Sequence, residues 1–257
     1  MSPYADLLVW VQIELWNFFI VFLRVAPIMA LIPGFSEQSV PMRVRLGLAV
    51  AMTLICAPAV IPQLNISPWQ IHTFLATLAS ESILGLALAF GLRFFIIALQ
   101  TAGAMAAQAT SLSQIAGSTV EPLPAISHLL VIGGIALAMM MDLHVHAARY
   151  VIHSYSILPV GRFPASQDLA LWGVTGVSHS FSLAFSLAAP FVITSVIYNM
   201  TLGVINRAMP QLMVAFVGAP VITFGGLALL FLLTPAMLIV WHDALFSFMA
   251  APFGDLR

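Results

Sequence analysis

Side chains able to do chemistry are sparse in this chain of 257 residues, and the densest group of them is His144, His146 and His153. Histidine is the commonest metal ligand, so a metal site is the first reading to weigh. The spacing argues against it. His144 and His146 are two apart and on a helix point away from each other, whereas His146, Arg149 and His153 fall within about 60°, opposite Ala148, Val151 and Tyr155. An arginine between the histidines repels a cation. The segment from Asp142 to Gly161 therefore reads as an amphipathic interfacial helix with a solvated polar face, and no metal or cofactor is expected. Cys56 is the only cysteine and stands in an apolar run, which excludes an internal disulfide framework and a thiolate metal site and makes it a small core residue.

The signatures of catalysis are missing as well. There is no HExxH, no GxSxG, no pair of intramembrane aspartates and no P-loop, which needs a lysine. All eight basic residues are arginine, and lysine is absent. The chain is not expected to be an enzyme. A formal net charge of −1 without a basic run lacks the electrostatic footprint of nucleic-acid binding.

The elements that carry the remaining polar groups are apolar. Hydrophobic residues make up 61% of the chain and charged residues 7%, against about 25% charged in an ordinary soluble domain. Apolar stretches lie at residues 7–32, 44–61, 70–99, 125–141, 179–205 and 211–250. About 20 apolar residues cross a bilayer core, so the first, third and fifth stretches are long enough to span. The second is cut at Pro58 and Pro62 and reads as half a hairpin. The last, holding Gly218, Pro220, Gly225, Gly226 and Pro235, is expected to break into two pieces. The fold class is an all-α membrane protein of broken hydrophobic helices and hairpins, organised as one domain over residues 1–257. The N-terminus lacks the positive region of a secretory signal and is taken as retained. The arginines are spread over loops and ends, so they set no orientation.

Ionisable groups inside apolar helices cost several kcal/mol unless protein or water receives them, which makes each one a clue. Glu14, Asn17 and Arg24 lie at 0°, about −60° and about −80° around the first helix, one face that should not meet lipid. That face either contacts a partner or a conduit, or is satisfied inside this chain. Glu81 and Arg93 share the third stretch about 120° apart and cannot pair with each other. Either each finds a partner in another subunit, or Glu81 meets Arg24 or Arg43 in this chain. Residues 103–124 are small and polar, uncharged until Glu121. Composition alone favours a plain connecting loop there over an element lining or blocking a pore. Gly85 with Ala89, and Gly103 with Ala107, are small pairs that let helices approach closely.

The run from Arg24 to Gly47, with Pro33, Pro41 and Arg43 inside it, resembles the N-terminal signature of the flagellar biosynthetic FliR family of the type III export apparatus, whose injectisome branch is SctT. Further similarities follow in order: Glu81, Ser82, Gly85 and Gly91; then Gln100, Ala102, Gly103 and Gln108; then His144, Ser154, Pro159 and Gly161; and finally Leu202, Gly203, Arg207, Pro210, Gly218 and Pro220. The resemblance implies a subunit of the flagellar protein-export gate in the bacterial inner membrane, at the flagellar basal body. Its implied partners are FliP, FliQ, FlhB and FlhA-like subunits in a helical assembly, unfolded flagellar proteins as cargo, and membrane lipid. It also implies a plug after Gly103, carried over here to Met105, Gln108, Ser111, Gln114 and Ile115, which reverses the plain-loop reading. This chain departs from the family at Thr110, Ser111 and Leu112. The rival readings are the injectisome form of the gate and a small-solute transporter, whose broken helices and midplane charges would look similar.

Overall fold

The structure, a computed structural model, describes residues 3–36, 40–64, 71–110, 124–209 and 214–254. Seven α-helices follow one another among these residues, with no strand: α1 Pro3–Leu31, α2 Met42–Val60, α3 Ile71–Ala109, α4 Ala125–Met140, α5 Leu143–Ile157, α6 Ser166–Ala208 and α7 Val214–Ala250. Apolar composition dictates this outcome, because in hydrocarbon a backbone must satisfy its own N–H and C=O groups within the segment. Within the described residues, segments Val11–Leu31, Met42–Val60, Phe74–Ala109, Ser166–Ala208 and Pro220–Ala250 are long and apolar enough to cross a membrane. The chain is an all-α membrane protein, as its composition predicts.

The element boundaries differ from the apolar stretches in instructive ways. Helix α3 continues ten residues past Leu99, so the small polar residues from Gly103 to Ala109 are helical rather than loop. Alanine and glutamine are good helix formers whatever their polarity. Helix α6 likewise starts at Ser166, well before the apolar stretch, with Asp168 in its first turn and Arg207 in its last, each complementing the helix dipole. Helix α7 does not break: Pro220 and Pro235 both lie inside one helix. A proline in a membrane helix frees one carbonyl, which local adjustment can satisfy without ending the helix. Pro58 is also held inside α2, and Pro62 ends that segment in the short 3-10 turn Ile61–Gln63.

The chain divides into two compact units, and three stretches build the first: Met1–Arg93, Met139–Gly176 and Leu245–Arg257. In it α1 packs on α2, and α2 on α5. The inward stripe of α1 is Ile20, Val21, Val25, Ile28 and Met29, with Arg24 buried in its middle. The second unit is Phe94–Ala138 with Val177–Ala244. Its core includes Leu99, Leu130, Leu187, Phe191 and Trp241.

Candidate functional site

In the first unit, the amphipathic pattern of α1 turns Arg24 toward α3, and Gly85 permits the approach. A Cβ at Gly85 would lie 2.6 Å from the Arg24 carbonyl oxygen, so only glycine lets the two backbones come this close. One turn before Gly85 stands Glu81. The Arg24 guanidinium meets it with both prongs, Nε donating to Oε2 at 2.7 Å and a terminal N–H donating to Oε1 at 3.1 Å. The other terminal nitrogen donates to Ser154 Oγ at 3.2 Å, while the nitrogen on Glu81 Oε1 also donates to the Leu158 carbonyl at 3.0 Å. Beneath the guanidinium lies the Tyr155 ring, its centroid 3.8 Å from Cζ. The backbone N–H of Gly161 donates to Glu81 Oε1 at 3.3 Å, from a turn where φ is 74° and glycine carries no strain.

Arg24 and Glu81 are both 0% exposed. A charge so placed is tolerable only when paired and hydrogen-bonded, and this one is fork-to-fork, capped and stacked on a ring. No substrate atom can reach it. The arrangement does no chemistry; it clamps α1, α3, α5 and the loop after α5 together.

Among the two homes open to Glu81 in the sequence, an outside partner or an arginine of this chain, the structure selects Arg24; Arg43 is exposed at the start of α2. Glu14 and Asn17 are only half-buried, so the polar face of the first helix is deeply enclosed at Arg24 alone. Arg93 is half-buried with no ion pair or hydrogen bond among the described residues. His146 stacks edge-on against Phe246 at 4.4 Å, while Arg149 and His153 are exposed on the polar face of α5. Pro33 is buried beside Gly34, whose φ of 88° turns the chain after α1, and Pro41 caps α2. Gly47 is exposed and faces open space. Pro159 is exposed just past the Leu158 carbonyl that Arg24 uses, and Pro220 is exposed inside α7. Met105 is half-buried and Gln108 exposed near the end of α3. Ser111, Gln114, Ile115 and Pro210 lie outside the described residues.

In the second unit the close approaches recur. A Cβ at Gly103 would fall 2.5 Å from Ser127 Cα, and Ser127 Oγ donates to the Gln100 carbonyl at 2.9 Å. Trp241 Nε1 donates to the Phe95 carbonyl at 2.7 Å, and Ser180 Oγ to that of Phe94 at 2.8 Å. Gly218 faces the Tyr198 hydroxyl. Single-residue reasoning missed Ser154, Tyr155 and Gly161 as partners of the ion pair. The available signal was that Val151, Ser154 and Tyr155 share the inward face of α5.

The fold and the clamp define a class: a helical membrane protein whose buried polar groups lock helices instead of catalysing. Within that class the chain is placed by its sequence. Residues 15–248 match the family described as bacterial export proteins, family 1, and the chain belongs to that family, one of export proteins and not of enzymes. It is similar to the flagellar biosynthetic protein FliR of Caulobacter vibrioides, 34% identical over 228 residues that cover 87% of this chain and 90% of the relative. The protein of the same name from Escherichia coli is 29% identical over 88% of this chain and 85% of its own length. That from Bacillus subtilis is 26% identical over 79% and 80%.

Proposed function

We propose that the chain is a subunit of the flagellar type III protein-export gate in the bacterial inner membrane, at the base of the flagellum. It forms part of the closed conduit through which unfolded flagellar proteins leave the cell. The carrying observation is the near full-length likeness to relatives named flagellar biosynthetic protein FliR, spanning 90% of the Caulobacter protein. That shared flagellar name favours the flagellar gate over its injectisome form. The match at 15–248 runs through both compact units, which supports reading them as one functional module.

The geometry agrees with a subunit that expects neighbours. Only 33% of the apolar window of Ser166–Ala208 and 22% of that of Pro220–Ala250 are buried within this chain, so most of their surface must be covered by lipid or by other proteins. FliP, FliQ, FlhB and FlhA-like subunits are the partners the reading assigns. The plug is assigned to Met105, Gln108, Ser111, Gln114 and Ile115, beginning on the last turns of α3. No ATP site is required, because a passive gate draws its driving energy from other components.

The test is complementation of a strain lacking the gene with a form deleted between Gln108 and Gly117. Restored secretion of hook protein together with leakage of small ions across the inner membrane is the expected result. Restored secretion in a membrane as tight as with the wild-type chain would remove the plug assignment.

A further inference from the structure

The first compact unit holds a cavity of about 590 Å³, within the size range of small-ligand sites, and it adjoins the clamp through Leu158. Its apolar walls are Leu84 and Leu88 of α3, Leu158 after α5, and the rings of Trp172 and Phe253. Leu84 and Leu88 stand four apart on α3, and Asp168 and Trp172 four apart on α6, so each helix turns two successive positions of one face to the cavity.

Three lining side chains carry polar atoms: His153, Asp168 and Trp172. The Trp172 indole N–H is spent on the Pro252 carbonyl at 2.7 Å, and its ring centroid lies 5.6 Å from that of Phe253, so this pair offers the cavity only aromatic surface. Ser156 Oγ donates to the His153 carbonyl at 2.7 Å, which leaves that oxygen to accept from His153 Nδ1–H at 3.3 Å and makes Nε2 of the neutral ring an acceptor. Asp168 makes no ion pair among the described residues, and it already complements the dipole of α6, so the helix start does not call for an anion. Two acceptors and two aromatic rings around an apolar space suit a group that is cationic, carries N–H donors and is joined to hydrocarbon. An anionic headgroup meets the Asp168 carboxylate instead, and a quaternary ammonium has no N–H to give.

The position of the cavity indicates where such a ligand comes from. Asp168 is in the first turn of the span-length segment Ser166–Ala208, and Ala251 and Phe253 follow the end of Pro220–Ala250, so two apolar segments end here. Segment ends meet the headgroup layer, where tryptophan is enriched. We propose that this cavity is a binding site for a primary-amine phospholipid of the phosphatidylethanolamine type. Its ammonium is held by Asp168 and His153, and a length of acyl chain lies against Leu84, Leu88 and Leu158. The site stands independently of the export-gate reading.

The experiment offers the full chain, extracted in detergent with whatever subunits accompany it, equal amounts of phosphatidylethanolamine, phosphatidylcholine and phosphatidylglycerol of one acyl composition. Retained lipid is counted by native mass spectrometry. Phosphatidylethanolamine is expected to be retained about tenfold over the other two, the worth of one charge-assisted hydrogen bond. Asp168→Asn is expected to abolish that preference and Asp168→Glu to keep it; the residue is exposed, so neither change disturbs a core. A phosphatidylethanolamine with a diazirine on its acyl chain is expected to label peptides holding Leu84, Leu88 or Phe253, and Ala87→Phe, which fills the cavity, to remove that label. If Ala87→Phe does not accumulate, Asp168→Asn decides alone. Equal retention of the three lipids, a preference that survives Asp168→Asn, or label placed elsewhere overturns the proposal. So does a photo-reactive amino acid at Phe253 that captures a protein instead of lipid in the native bacterium, because the cavity then receives a polypeptide.

Discussion

Arg24 and Glu81 show how one ion pair can be placed in an apolar chain without a site for chemistry. Each charge alone would be very costly at full burial, and each is tolerated because the other, Ser154, the Leu158 carbonyl and the Gly161 N–H take up its hydrogen-bonding groups. Removing one partner strands the other, so Glu81→Gln and Arg24→Met should each destabilise the chain by about 3–5 kcal/mol. The check is the melting temperature and protease resistance of the detergent-extracted protein. Joint replacement by Arg24→Met with Glu81→Leu should recover much of that loss, since no buried charge is left over. Tyr155 separates ring from hydroxyl: its oxygen is buried without a partner among the described residues, while its ring supports the guanidinium. Tyr155→Phe should therefore melt within about 0.5 kcal/mol of wild type, whereas Tyr155→Ala loses the stack and leaves a cavity at about 3–5 kcal/mol. Periodicity around single helices was enough to mark Arg24 and Glu81 as groups needing partners. It could not choose between Arg24, Arg43 and another subunit for Glu81, because that depends on which helices meet.

At the scale of elements, α3 accepts side-chain hydrogen bonds from other helices within each unit. In the first unit Tyr150 donates to its Leu88 carbonyl at 3.0 Å, and Gly85 admits α1. In the second, Ser180, Trp241 and Ser127 donate to its Phe94, Phe95 and Gln100 carbonyls. Glycines on this helix are close-approach points, and the consequence is measurable. Gly85→Ala drives a methyl group into the Arg24 backbone and should cost about 1–3 kcal/mol, while Gly47→Ala, exposed on α2 with nothing near, should stabilise the isolated chain by up to about 1 kcal/mol. Thermal melts of the two variants side by side provide the comparison. If Gly47→Ala instead blocks motility while raising stability, Gly47 lies against a partner. Hydropathy located the helical stretches but misjudged several ends: small polar residues continue α3 to Ala109, a polar start extends α6 back to Ser166, and prolines fail to divide α7. Hydropathy measures affinity for lipid, whereas helix continuity depends on backbone hydrogen bonding, and the two part company where residues are small or where a single carbonyl is freed.

For the whole molecule, the family match over residues 15–248 and the sparsely buried surfaces of α6 and α7 point the same way, to a subunit completed by others. Family membership was legible in the order of weak motifs along the chain. Much of what carried it proves structural: Gly85 and Gly103 are close-approach points, Gly161 is a positive-φ turn, and Glu81 and Ser154 belong to the clamp. The most direct measurement is an in-frame deletion of the gene in its native bacterium, scored for flagellar filaments and for hook and filament proteins in the medium. Loss of both, with recovery on complementation by the wild-type gene, is the predicted result. Filaments and secreted flagellar proteins at wild-type levels in the deletion strain would contradict the account.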